Sequence, residues 1–168
     1  MPEKSVNGAV SFGERLAGSQ VFADLFRDGM ALVEETAAYL DGAGRQESKR
    51  LERNAALAYA TESMRLTTRL MQLASWLLLH RAVKEGEMSL AQANKEKAKV
   101  KLSGVEHNDE ANIKLLPEHL RDLIGRSKTL MNAVRRLDAT IHAPMPRIDR
   151  HNPVERQLGL LKAAFEGG

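Results

Sequence analysis

Apolar positions along this chain recur three and four residues apart, the spacing that gathers side chains on one side of an α-helix. Nowhere do they alternate between hairpin turns as strands do. Ser19 is placed to cap a helix in which Phe22, Leu25, Phe26, Gly29, Val33, Ala37 and Leu40 keep that spacing, with Gly42 and Gly44 as the stop. A second pattern starts near Glu47 and runs to about Lys84 without proline or glycine before Gly86, far longer than the usual helix of about 11 to 12 residues. Along it Ala56, Leu57, Ala60, Met64, Leu70, Met71, Ala74, Leu77 and Leu78 fall roughly on one stripe, with Glu52, Glu62, Arg65 and Arg69 off it.

Ser89 followed by Gln92 is a capping-box signature for a short lysine-rich helix, Leu90 to Val100. A polar connection of functional-loop length follows, from Lys101 to Ile113. Pro117 then suits the start of a further helix carrying Leu120, Leu123, Ile124, Leu130, Met131, Val134, Leu137 and Ile141, ending near Ala143. The chain thus predicts an all-α fold: an antiparallel three-helix bundle, up-down-up, with a short extra helix. The expected organisation is a flexible segment over 1–18, a bundle over 19–143, and a flexible tail over 144–168. That tail joins a linker holding Pro144, Pro146 and Pro153 to an amphipathic stretch with Val154, Leu158, Leu161 and Phe165 on one face.

The densest apolar run holds Leu70, Met71, Leu73, Ala74, Trp76, Leu77, Leu78 and Leu79. Flanked by Arg69, His80 and Arg81, it is half the roughly twenty residues a membrane span needs. A helix apolar nearly all round must be covered on more than one side. Leu73, Trp76, Leu77 and Leu78 are therefore candidates for a packing or dimer surface, covered either by other segments of this chain or by a second copy.

Composition removes several classes of chemistry. With no cysteine, disulfides, thiolate metal sites and cysteine nucleophiles are excluded. The start of the chain lacks a signal-peptide apolar region, so a cytoplasmic setting is expected. Against 22 acidic residues, 25 Lys and Arg give a net charge of only +3, a weak nucleic-acid footprint. The basic cluster Lys95 to Lys101 and the arginines of the last long helix come without aromatic stacking or helix-turn-helix spacing. Nucleic acid is thus a disfavoured partner, and a basic DNA-associated regulator or a purely structural oligomer remain as alternative readings.

No catalytic constellation emerges. Among His80, His107, His119, His142 and His151 no two lie three or four apart, so no helical face offers two ring nitrogens to one metal. His107 to Glu110 is the best mixed cluster and reads as turn chemistry. Adjacent Glu34 and Glu35 do not face a common point. Ser63, Ser75 and Ser127 fall inside helices, where hydroxyls bond back to carbonyls.

Three segments carry a resemblance: LFRDGMALVEETAAYLDGAGR (Leu25 to Arg45), AALAYATESMRLTTRLMQLASWLLLHRAVKEGEMS (Ala55 to Ser89) and LPEHLRDLIGRSKTLMNAVRRLD (Leu116 to Asp138). Together they resemble the alphaproteobacterial regulator of CtrA degradation (RcdA) family. The resemblance implies a non-enzymatic helical-bundle homodimer without cofactors, acting as an adaptor to the ClpXP protease primed by the response regulator CpdR. Cargo would include the further adaptor PopA and, through it, CtrA, with a cytoplasmic location that includes a cell pole. It also implies a C-terminal arm engaging partners, for which Arg147, Arg150, Arg156, Leu158, Leu161 and Phe165 are the candidates.

Overall fold

The computed structural model describes residues 19–99, 109–141 and 153–166. All regular elements among them are helices: α1 (Gln20–Asp41), α2 (Ala43–Ser48), α3 (Arg53–Lys84), α4 (Leu90–Lys99), α5 (Glu110–Lys114), α6 (Glu118–Ile141) and α7 (Pro153–Glu166). The loop expected over 101–113 lies mostly outside the described residues, but its end is helical as α5. Residues 1–18 and most of the expected linker also lie outside them.

Ser19 caps α1 as its position suggests, its Oγ accepting from the Phe22 amide at 3.4 Å, and the Gly42 amide closes the other end on Ala38 and Tyr39 carbonyls. The reciprocal capping box forms at α4: the Gln92 amide donates to Ser89 Oγ and the Ser89 amide to Gln92 Oε1, both at 3.1 Å. Each bond satisfies a donor that the first helical turn would otherwise leave open.

The one long helix expected from Glu47 is interrupted. Chain 43–48 forms the short α2, a turn follows, and α3 begins only at Arg53. What holds the break is tertiary. Tyr39 Oη donates to Glu47 at 2.6 Å, while Gly44 is pinched so closely that a Cβ there would lie 2.7 Å from the Tyr39 ring and 2.8 Å from the Tyr59 hydroxyl. Local turns from Arg50 to Glu47 and from Leu51 to Ser48 then redirect the chain.

Contacts between the long helices fix their directions. Phe22 lies against Trp76, and Gly29 sits beside Leu73 and Leu77, whereas Gly44, just past the end of α1, meets Tyr59; α1 therefore runs antiparallel to α3. Against α6, Glu35 reaches His119 and Arg126, and the Tyr39 ring lies tilted against His119, while Asp28 shares a hollow with Thr129, so α1 is antiparallel to α6 as well. Arg69 donates to Ser127, and Trp76 to Asp138 eleven residues further along α6. Helices α3 and α6 are thus parallel, and the order is up-down-down where up-down-up was expected. The reversal comes from the connection. Helix α4 turns back along α3, placing Glu96 and Lys99 beside Ser75 and Leu78, and α5 also packs on α3, so the chain regains the starting end before α6 descends.

One aliphatic core binds the three long helices, with Phe22, Leu32, Tyr39, Leu66, Leu70, Leu73, Trp76, Leu77, Leu120, Leu123, Met131 and Val134 among its buried members. Helix α6 fits the sequence pattern nearly residue for residue, since seven of its eight apolar pattern positions are buried and Leu130 packs at the edge. At Gly29 the α1 backbone closes on α3, since a Cβ would stand 2.6 Å from Leu77 Cδ1.

Candidate functional site

The phase of α3 decides where contact with other molecules is possible. Its buried side holds Ala58, Glu62, Leu66, Leu70, Leu73, Trp76, Leu77 and His80. Leu57, Met64, Met71 and Leu78 stand 60%, 72%, 65% and 53% exposed. They are seven residues apart, so they form one straight stripe on roughly the opposite side of the helix from the core.

This separates the four residues read together as a packing or dimer surface. Leu73, Trp76 and Leu77 are core, all at 1% exposure or less, while Leu78 is half out in solvent. The sequence stripe had merged two sets: Leu70 and Leu77 face the core, while Leu57, Met64, Met71 and Leu78 do not. Glu62, read as off the stripe, is buried, its carboxylate accepting from Arg65 at 2.7 Å. A strict seven-residue spacing was the available signal for the exposed set, which a search at mixed three- and four-residue spacing blurs.

Trp76 is fixed from three sides. Its Nε1 donates to Asp138 at 2.8 Å, its ring stacks on His80 with centroids 3.9 Å apart, and Phe22 lies 6.2 Å away. Asp138 also accepts from Lys97, which ties α4 to the end of α6. One lysine of the basic cluster is therefore spent inside the fold, and Lys99 pairs with Glu96.

Beside the exposed stripe, α1 and α3 leave an apolar groove with a cavity of about 290 Å³, whose lining includes Val33, Ala37 and Leu40 from α1 and Leu70, Met71 and Ala74 from α3. Thr36 sits in the same lining with its side chain buried. Toward the other end of α3, Leu78, Leu79 and Ala82 form a shallower hollow with Glu96 and Lys99.

The α1–α6 side is polar by contrast. Glu35 accepts from both Arg126 guanidinium nitrogens at 2.9 and 2.7 Å and lies 3.4 Å from His119 Nε2. The Arg126 hydrogen bonds hold the Glu35 carboxyl below its ordinary pKa, against the opposing effect of desolvation. Tyr39 is pushed above its ordinary value by burial first and by its bond to Glu47 second.

Ser75 and Ser127 hydroxyls donate to the Met71 and Ile124 carbonyls at 2.8 and 2.7 Å. Asp109, from the mixed loop cluster, caps α5, and His107 lies outside the described residues. Among the described residues no group of three His, Asp or Glu could hold a metal, and no helix is long and apolar enough to cross a membrane.

Of the tail candidates, Leu158, Leu161 and Phe165 lie on α7 and are exposed, Phe165 at 84%. Arg156 belongs to the same helix, and Arg147 and Arg150 lie outside the described residues. The amphipathic stretch expected in the second half of the tail is a 14-residue helix.

Residues 13–165 match the model of a family described as a protein of unknown function (DUF1465). The crystal structure of RcdA from Caulobacter crescentus is similar, at 52% sequence identity and a TM-score of 0.65, over 78% of this chain and 98% of that one. No curated protein matches.

Proposed function

Because the chain belongs to the RcdA family, we propose that it works as a non-enzymatic adaptor, holding protein cargo at a CpdR-primed ClpXP protease so that cell-cycle proteins such as CtrA are degraded on cue. The observation that carries this reading is the 52% identity to RcdA over 98% of that chain. The exposed α3 stripe supports it, since four large apolar side chains in one line are what a protein-contact surface supplies. An adaptor accelerates by raising local concentration, which takes surfaces and no reactive group.

The same stripe suits a second copy. A two-fold axis between Thr67 and Thr68 would lay α3 antiparallel on its mate, with Leu57 facing the mate's Leu78 and Met64 facing its Met71. The sequence Leu, Met, Met, Leu reads alike in both directions, as a self-complementary interface requires. Small residues between these positions, Ala60, Thr67 and Ala74, permit close approach. The C-terminal arm, with Leu158, Leu161 and Phe165 on α7, is the proposed contact with protease or cargo such as PopA.

Reconstituted degradation tests the proposal: ClpXP, CpdR, PopA and CtrA with and without this protein. Faster loss of CtrA is expected when it is present, and an unchanged rate with every family cargo sinks the adaptor reading. A variant ending at residue 143 tests the arm separately; delivery at the full rate without residues 144–168 removes its role.

A further inference from the structure

We propose that the apolar groove between α1 and α3 holds a short extended segment of a partner protein, one in which apolar side chains are followed by a lysine or arginine. This rests on reading the chain as a protein-contact adaptor, and gives that contact a chemistry.

The groove differs from the other hollows in lacking a cation. Asp41 lines one end of it, stands exposed, and makes no ion pair among the described residues. The cause is local. Arg45 lies four residues on, where an unbroken helix would bring it to Asp41, but Gly42 leaves the helical conformation between them, at φ −111° and ψ −108°. The last turn of α1 holds no basic residue, so the partial negative charge of the helix end adds to that of the carboxylate. Elsewhere the charges are already matched. In the α1–α6 hollow Arg126 is held by Glu35 and Asp122, and Asp28 pairs with Arg27; in the hollow beside Leu78, Glu96 pairs with Lys99.

Beyond Asp41 the lining suits apolar side chains. Val33, Ala37 and Leu40 of α1 and Leu70, Met71 and Ala74 of α3 line a cavity of about 290 Å³, at the small end for a ligand site and sufficient for one or two side chains. Thr36 decides the form of the segment. It belongs to the same lining, and its buried hydroxyl has no hydrogen-bond partner among the described residues. A polar group left open in this way is costly, and an extended backbone laid along the groove brings it a carbonyl or an amide. A helix would not, because its backbone groups are already bonded to one another. The lengths agree: Val33 to Asp41 rises about 12 Å along α1, and three extended residues span about 10 Å.

Three capped peptide amides test this on the full chain with isotope-labelled methionine methyl groups: acetyl-Leu-Leu-Arg, acetyl-Leu-Leu-Glu and acetyl-Ser-Ser-Arg. The Met71 methyl signal, assigned by its loss in Met71→Leu, should move with the first peptide at a Kd of order millimolar, and the other two should bind at least about threefold more weakly. Asp41→Asn should bring the Arg and Glu peptides within about twofold of each other, since it removes only the charge. Ala37→Leu fills the groove from an exposed α1 position and should weaken the first peptide at least about fivefold.

A Met71 signal unmoved by the Arg peptide would overturn the proposal, as would equal binding of the Arg and Glu peptides to the parent chain, or Arg-peptide binding indifferent to Ala37→Leu. A signal that moves with protein concentration and not with peptide would also overturn it, since a second copy then fills the groove. Failure here and failure of the adaptor reading are distinguishable: CtrA delivery without peptide binding removes only the groove, and peptide binding without delivery refutes only the adaptor role.

Discussion

Replacing Asp138 tests how the lower half of the bundle is held. Its carboxylate joins three helices, accepting from Trp76 Nε1 on α3 at 2.8 Å and from Lys97 on α4. Trp76 is 1% exposed, so in Asp138→Ala its indole N–H loses a charged acceptor with little access to water, at a cost of about 1.5 to 3 kcal/mol. The Lys97 pair, with side chains 25% and 16% exposed, adds about 1 kcal/mol at most, since lysine can turn to solvent. The total is about 3 kcal/mol. Asp138→Asn keeps a neutral acceptor for the indole and should lose roughly half as much. Trp76 is the sole tryptophan, so its fluorescence in a urea titration reads the site directly, while far-ultraviolet circular dichroism reads the whole fold. Amide exchange should also quicken in α4, which loses its tie to α6. An Asp138→Ala midpoint within about 0.5 kcal/mol of the parent, a typical size for inert surface changes, would refute this account of the triad.

Three further outcomes follow from the same contacts. Gly29→Leu should destabilise by about 3 kcal/mol through overpacking against Leu77, whereas Gly29→Ala should stay within about 1 kcal/mol because its gain in helix propensity offsets a smaller clash; urea midpoints check both. Tyr39 has a raised folded pKa, so its stabilisation is complete below the unfolded value near 10 and is lost as pH rises beyond it. Stability should therefore hold up to about pH 10 and fall as pH rises further, less steeply in Tyr39→Phe, with Tyr59, also raised, supplying part of the remainder. Met64→Asp and Leu78→Asp, both at exposed positions, should leave the melting temperature nearly unchanged yet weaken self-association at least tenfold by sedimentation; dimers of parental strength would move the interface off the stripe.

What the sequence disclosed and what it hid divide along a physical line. Helix α6 was legible because one face carries its apolar residues and the other its charges, which is the case that three-four periodicity describes. Capping was legible because it is local: Ser19, and Ser89 with Gln92, act within one turn. The break before Arg53 was not, since no glycine or proline marks it and the Tyr39 hydroxyl that secures α2 comes from another helix. Chain direction failed for a similar reason. Counting three long helices suggests alternation, but the short α4 and α5 both pack on α3 and lead the chain back along it, which the number of long helices does not disclose.

The misphasing of α3 bears most on function. A helix with one apolar stripe can be phased from its sequence, but one with two stripes on opposite sides averages to no clear face, and Trp76 with its leucine neighbours looks like a single patch. Only burial tells them apart, since the core takes Leu70, Leu73, Trp76 and Leu77 and leaves Leu57, Met64, Met71 and Leu78 outside. Glu62, Arg69 and His80 lie on the inward side, held by Arg65, Ser127 and the Trp76 carbonyl, so polarity alone would have turned the helix the wrong way. A chain under selection only to fold has no use for the second stripe, which exposes about as much large apolar side chain as it could have buried. Its seven-residue regularity over three full heptads fits the self-complementary interface proposed above, and the sedimentation experiment tests it.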